Sequence, residues 1–281
     1  MLIQTEVYAK PGELMQGVLP GDKPFLLSNK SSGIFKTTTT IQISRQRIPS
    51  LNYKAKEAVA VFWNAISLQQ KTIDIQQLAI TQESNISVGK GLSSSSADVL
   101  GILQALNLCY NTGFSVEKLY QLAASIEPTD PCLHSENLFF NQYSGETLEK
   151  TSPLPYHILY FDSDEDTVVD TVAFSKKLSH SDAAKNRYAI LCNQMQKAFK
   201  TKDYTTFYSC LHSSAEMNNI ILPKKNFHLL QEFALDANLG IFVAHSGTYM
   251  GLVISPQQLA AIKIKAQELI KKYWNTPVYI E

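Results

Sequence analysis

Apolar and polar residues alternate from Met1 to Lys10, the period of a half-buried strand, and Ile34 to Ser44 repeats the pattern with β-branched side chains at alternate positions. The period then changes. From Tyr53 to Leu68, Ala58, Val59, Phe62, Trp63 and Ile66 fall on one helical stripe, which must pack on a sheet. Strand character returns from Ile73 to Val88, broken by turn-favouring residues at Glu83, Ser84 and Asn85. A glycine and serine cluster follows, then Val99, Leu103 and Leu106 at helical spacing, so the cluster is a loop that feeds a helix N-terminus. Ser115 reads as the N-cap of a further helix that runs to Ile126.

Pro128 and Pro131 end that pattern, and a new apolar strand, Tyr156 to Phe161, begins after Pro153 and Pro155. Three helical stretches come next, Ala183 to Lys200, Asp203 to Met217 and Lys225 to Ala237. A strand, a glycine turn, a strand and a last helix complete the chain. The order predicts an α+β protein with a soft boundary near residue 150, giving segments 1–150 and 151–281.

At 281 residues and 44% hydrophobic content the chain can bury an ordinary core. Lysine plus arginine total 25 and aspartate plus glutamate total 25, so no net positive field attracts nucleic acid, and a small-molecule partner is expected. No run of about 18 apolar residues occurs, and Met1 to Lys10 lacks a positive n-region, so a cytoplasmic protein without a membrane anchor is expected. Cys109, Cys132, Cys192 and Cys210 are scattered, which predicts reduced thiols rather than a zinc site. Phe62, Trp63, Phe139, Phe140 and Phe242 read as core, and the pairs Lys176-Lys177, Lys224-Lys225 and Lys271-Lys272 as solvated charge.

The cluster itself is Gly89-Lys90-Gly91-Leu92-Ser93-Ser94-Ser95-Ser96. Amides at a helix start carry no intrahelical partner and the positive end of the dipole, so they suit a phosphate. The glycines let it approach, and the hydroxyls bond phosphate oxygens or ligate Mg²⁺. It is not a Walker loop, because Gly91 rather than Ser or Thr follows Lys90, and it lacks the third glycine of a dinucleotide fingerprint. Taken alone, such a loop fits an ordinary turn equally well.

Three segments together resemble the GHMP kinases. They are Pro11-Gly12-Glu13-Leu14-Met15-Gln16-Gly17, Gly91-Leu92-Ser93-Ser94-Ser95, and Ala244-His245-Ser246-Gly247-Thr248-Tyr249-Met250-Gly251. Within that family the resemblance is to the propanediol-utilization branch, L-threonine kinase, through Gly12-Glu13-Leu14-x-Gln16-Gly17, the Ser-Ala-Asp ending at Asp98, Glu127-Pro128-Thr129-Asp130, and Ala244-His245-Ser246-Gly247-Thr248. The resemblance implies a two-lobed fold, with a lobe like ribosomal protein S5 domain 2 followed by a ferredoxin-like lobe. It also implies ATP and Mg²⁺ as cofactors and a hydroxyl-bearing small molecule as acceptor. If that acceptor is L-threonine, the product O-phospho-L-threonine would feed the aminopropanol arm of cobalamin. Homoserine, an isoprenoid alcohol or a sugar are alternative acceptors, and a noncatalytic nucleotide sensor is the reading from another class.

The family pattern also implies roles. ATP would lie on Gly89 to Ser96 with Ser246 and Gly247, Ser95 and Glu127 would hold the metal, and Asp130 would accept the acceptor's proton. Four consecutive serines leave the metal ligand's register open by one residue. His245 is a candidate binding residue, and His134 a weaker one for the acceptor. Several family members carry a lysine directly after the first Pro-Gly, where this chain has Glu13, so the missing cation would come from Lys10, from Lys90, or from neither.

Overall fold

The computed structural model describes residues 2–43, 53–67, 78–152, 154–170 and 181–281. Three antiparallel strands, β1 (Leu2–Tyr8), β4 (Lys36–Ile43) and β5 (Leu78–Ser84), form a small sheet in the order β1-β4-β5. Eight others form a second sheet. In its order these are β11 (Tyr279–Ile280), β8 (His157–Asp162), β10 (Tyr249–Ile254), β9 (Gly240–Val243), β2 (Glu13–Leu19), β3 (Lys23–Ser28), β6 (Leu138–Asn141) and β7 (Glu146–Lys150). Strands from both sides of residue 150 therefore share one sheet, joined where Glu13 pairs with Val243.

Among the described residues the helices are α1 (Tyr53–Ser67), α2 (Ser94–Tyr110), α3 (Val116–Ala124), α4 (Asp182–Thr201), α5 (Tyr204–Ile221), α6 (Phe227–Asp236) and α7 (Leu259–Tyr273). Helix α2 is the central one. It is buried on most sides, through Val99, Leu100, Ile102, Leu103 and Leu106, because the small sheet covers one side and α1 and α3 cover others. It lies close on that sheet at Gly101, whose carbonyl accepts from Thr5 Oγ1 at 3.1 Å; a Cβ there would stand 2.5 Å from Thr39 Oγ1. In the large sheet, alternate side chains of β9 and β10 enter two cores. Phe242, Tyr249 and Val253 belong to the core that takes in α4 and α5, whereas Ile241, Met250 and Leu252 belong to the one that takes in α6 and α7.

The α+β class and most elements agree with the sequence. Ser44, Leu68, residues 73–77, Pro153 and Lys176-Lys177 lie outside the described residues, and the strand expected to reach Val88 ends at Ser84, where the turn formers begin. Strands β2, β3, β6 and β7 go beyond the sequence reading. Much of β2 and β3 is buried on both faces, at Leu14, Met15, Phe25, Leu26 and Leu27, so no polar alternation marks them. Phe62, Phe139, Phe140 and Phe242 are core as expected, and Trp63 packs against the core. Lys224 is a correction to the expected solvated pair. Its backbone N–H donates to Asn219 Oδ1 at 2.8 Å in the α5–α6 connection, and its side chain is turned inward and buried.

Gly251 pairs with Tyr160 and Phe242 in the middle of the large sheet, and a Cβ there would meet Leu159 O at 2.3 Å and the Phe242 ring at 2.7 Å. Gly251→Ala is therefore expected to destabilise the fold by about 1–3 kcal/mol, the usual cost of overpacking. Urea denaturation checks this as a lower midpoint with an unchanged m-value.

Candidate active site

Helix α2 begins without a side-chain cap. Its N-cap, Ser93, is in the left-handed region at φ 61°, and Ala97 N donates to Ser93 O at 2.9 Å. The amides of Ser94, Ser95 and Ser96 therefore have no intrahelical partner, and these residues line a cleft of about 610 Å³. The loop before them turns at Gly89 (φ 70°) and Gly91 (φ 84°), conformations that favour glycine.

Two remote segments close on this loop. Gly12 N donates to Gly91 O at 3.2 Å, while Thr248 N and Tyr249 N donate to Lys90 O at 3.0 and 3.2 Å. The approach leaves no room for side chains: a Cβ on Gly247 would stand 2.2 Å from Lys90 C, and one on Gly91 would stand 2.2 Å from Ala244 Cβ. The turns before β2 and before β10 thus pack on the phosphate-type loop, and the three sequence motifs meet at one place.

Of the residues expected there, Gly89, Gly91, Ser93, Ser94, Ser95, Ser96, Glu127, Asp130 and Ser246 line the cleft. Three do not. Lys90 Nζ pairs with Asp162 Oδ2 at 2.9 Å and donates to Asp164 O and Glu165 O, so its ammonium braces the loop against the β8 end and faces away from the cleft. Leu92 is a core side chain, and Gly247 supports the loop from behind.

Glu127 follows α3 and meets the Ser95 hydroxyl, which donates to Glu127 Oε1. Lys54, at the start of α1, donates to Ser95 Oγ and lies 3.1 Å from Glu127 Oε2. A hydroxyl and a carboxylate thus already gather one cation. Asp98, one turn into α2, accepts from Thr37 Oγ1 at 2.7 Å, and burial raises its pKa.

Asp130 is fixed through its backbone, whose N–H donates to Ser96 Oγ at 2.9 Å; the neighbouring Thr129 N donates to Gln142 O. Burial chiefly, with the nearby charge of Glu13, lifts its carboxyl to about 7 against the opposing pull of Ser93 and Lys10. Lys10 donates to Asn29 O and Glu136 O, both at 3.0 Å, and its burial lowers it to about 8 although Cys132 and Asp130 oppose the shift. Of the two lysines weighed for the missing cation, Lys10 is the one within electrostatic reach of Asp130.

His245 packs behind the cleft. Its backbone N–H donates to Glu13 Oε2 at 2.9 Å, its Nδ1 lies 3.2 Å from the same oxygen, and Nε2 lies 3.5 Å from Ser214 Oγ. His134 Nδ1 is bonded to Tyr120 OH at 2.9 Å. The sequence analysis gives no site role to Lys54, to Gln16 of the first motif, to Gln142 or to the valines Val88, Val168 and Val169, all of which line the cleft. A lone lysine on an amphipathic helix carries no signal, and apolar residues flanking the loop read as core.

Residues 55–135 match the GHMP kinases N terminal domain. The chain is 28% identical over 210 residues to an L-threonine kinase of Salmonella typhimurium, a match covering 70% of this chain and 68% of that protein. It is also 26% identical over 185 residues to an L-threonine kinase of Citrobacter freundii, covering 64% and 63% respectively. Among solved structures it is similar to the Streptococcus pneumoniae phosphomevalonate kinase in complex with phosphomevalonate and AMPPNP, with a TM-score of 0.76 at 14% identity over 100% of this chain and 99% of that one. At that identity the last likeness is one of fold. The loop and helix that form the cleft thus lie within a segment that matches the GHMP kinases N terminal domain, and the whole chain has a fold similar to that of this phosphomevalonate kinase.

Proposed function

We propose that this protein transfers the γ-phosphoryl group of ATP to the hydroxyl of a small molecule, with L-threonine as the acceptor, releasing ADP and O-phospho-L-threonine. The observation that carries this reading is the meeting of three remote motifs around an uncapped helix N-terminus that shares its cleft with Asp130 and Glu127. The curated relatives favour threonine among the acceptors.

The free amides of Ser94 to Ser96 and the α2 dipole hold phosphate oxygens, and Gly89 and Gly91 keep side chains out of their way. Val88 and Val168, both exposed in the cleft, offer an apolar surface for the base of the nucleotide. Asp130 accepts the proton of the acceptor hydroxyl as oxygen attacks phosphorus, and later passes it to solvent. With its pKa near 7, the group is both available as a base and able to let the proton go at neutral pH.

The oxygens of Ser95 and Glu127 suit a magnesium ion: both are hard donors, and Lys54 shows that their pocket accepts a cation. Held by these two residues, Mg²⁺ would supply positive charge that offsets the negative charge of the phosphates. Ser95 and Glu127 then fix the phosphate chain relative to Asp130.

Asp130→Asn is expected to lower kcat about 10²–10⁴-fold with ATP binding retained, as for loss of a general base. Coupled ADP release against L-threonine, serine, homoserine, mevalonate and galactose, beside ATP calorimetry, checks this; an unimpaired variant or turnover without an added acceptor refutes it. The base must be ionised to work. The wild-type rate is therefore expected to fall on acidification below about pH 7 and to level off above it, with the midpoint moving lower in Glu13→Gln, which removes a charge that raises Asp130. Glu127→Gln is expected to demand more Mg²⁺ for half-maximal rate, and a magnesium titration of the two proteins reads the shift.

A further inference from the structure

Glu13 is buried to 7% exposure, yet it lines the cleft and lies within electrostatic reach of Asp130. Its Oε2 is occupied by the backbone N–H and the ring of His245, which fixes the carboxylate in place. Among the described residues Oε1 takes no hydrogen bond, and it is not among the polar atoms sealed from solvent without a partner. It therefore opens on the cleft. Beside it, Gln16 Nε2 donates to Gln142 Oε1 at 2.9 Å, and both amides line the same wall.

The cations near this wall stand behind it. Lys10 is committed to two backbone carbonyls. Lys224 is buried at 6% exposure, its Nζ has no hydrogen-bond partner among the described residues, and the carboxylate that offsets its burial is Glu13. Among the described lining residues the one lysine is Lys54, already engaged with Glu127. Among the described residues the wall next to Asp130 thus presents two carboxylates and two amides and no cation. An acceptor carrying phosphate finds nothing there to pair with, whereas an ammonium group finds a fixed, half-satisfied carboxylate.

We infer that Glu13 is the specificity residue that binds the ammonium group of the acceptor, so that the site takes amino alcohols and hydroxy amino acids in preference to neutral or phosphorylated alcohols. The inference rests on the kinase reading for the word acceptor, and on the geometry of Glu13 for the charge.

Calorimetry with the full chain, Mg²⁺ and a non-hydrolysable ATP analogue tests this by binding alone, comparing L-threonine with 3-hydroxybutyrate, which lacks only the amino group, and with 1-amino-2-propanol, which lacks only the carboxylate. The wild type should bind L-threonine at least about tenfold more tightly than 3-hydroxybutyrate, the scale of one charge-assisted hydrogen bond, and 1-amino-2-propanol should compete with threonine. Glu13→Gln should abolish that preference by weakening threonine binding while leaving 3-hydroxybutyrate and the nucleotide unchanged, and Glu13→Asp should keep part of it. Equal wild-type binding of the two analogues, no amine binding at all, or equal losses for both analogues in Glu13→Gln overturns the inference. If Glu13→Gln fails to bind nucleotide, the wild-type comparison and the Glu13→Asp result decide. Amine-selective binding without phosphoryl transfer would sink the kinase reading and leave this one standing; transfer to galactose or mevalonate in preference to amines would do the reverse.

Discussion

Everything in the cleft depends on how closely three stretches of backbone approach at Lys90 and Gly91. The Lys90 carbonyl accepts from both Thr248 and Tyr249, the Gly91 carbonyl accepts from Gly12, and no Cβ fits at Gly91 or Gly247. Hydrogen bonds of this kind are individually modest, but buried carbonyls left without them are costly, so the loop has one arrangement in which all are satisfied. That arrangement leaves the helix amides beyond it unpaired and pointing at the cleft. Lys90 adds an ion pair with Asp162 that ties the loop to the large sheet.

Charge around the cleft is arranged with equal economy. Carboxylates line it at Glu13, Asp98, Glu127 and Asp130, and among the described lysines only Lys54 reaches the lining. Lys10 and Lys224 are buried behind the wall and held below their ordinary range, at about 8 and about 7, because burial disfavours the ammonium form. Two weakened cations behind the carboxylates let the cleft keep its negative character without the full repulsion of uncompensated charge.

Much of this was legible in the sequence, and the parts that were not share a cause. The loop at Gly89 to Ser96 announced itself by composition followed by helical periodicity, and Ser115 caps α3 as read, accepting from Lys118 N at 3.2 Å. Both signals are local. Strands β2 and β3 escaped because burial on both faces erases the alternation by which a strand is recognised. Lys54 escaped because its partners, Ser95 and Glu127, lie 41 and 73 residues away and meet it only through the packing of α1 against α2. Lys224 was misread as surface charge because the burial of a lysine depends on where the chain around it is tied, here through Asn219, and no property of the residue signals that. Lys90 is the instructive case. Its place in the loop was read correctly, yet its side chain turned the other way, since Asp162 and two carbonyls outcompete an open cleft for an ammonium.

The interlock of Gly12, Gly91 and Gly247 also limits how this protein can be rebuilt. Each of the three turns is shaped by the absence of side chains on the others, so none can be transplanted alone from a relative whose loop differs in length or bulk. A chimera assembled by cutting near residue 150 would inherit two turns from one parent and the third from the other. Their mutual fit, more than the stability of either half, would decide whether such a hybrid has a usable cleft.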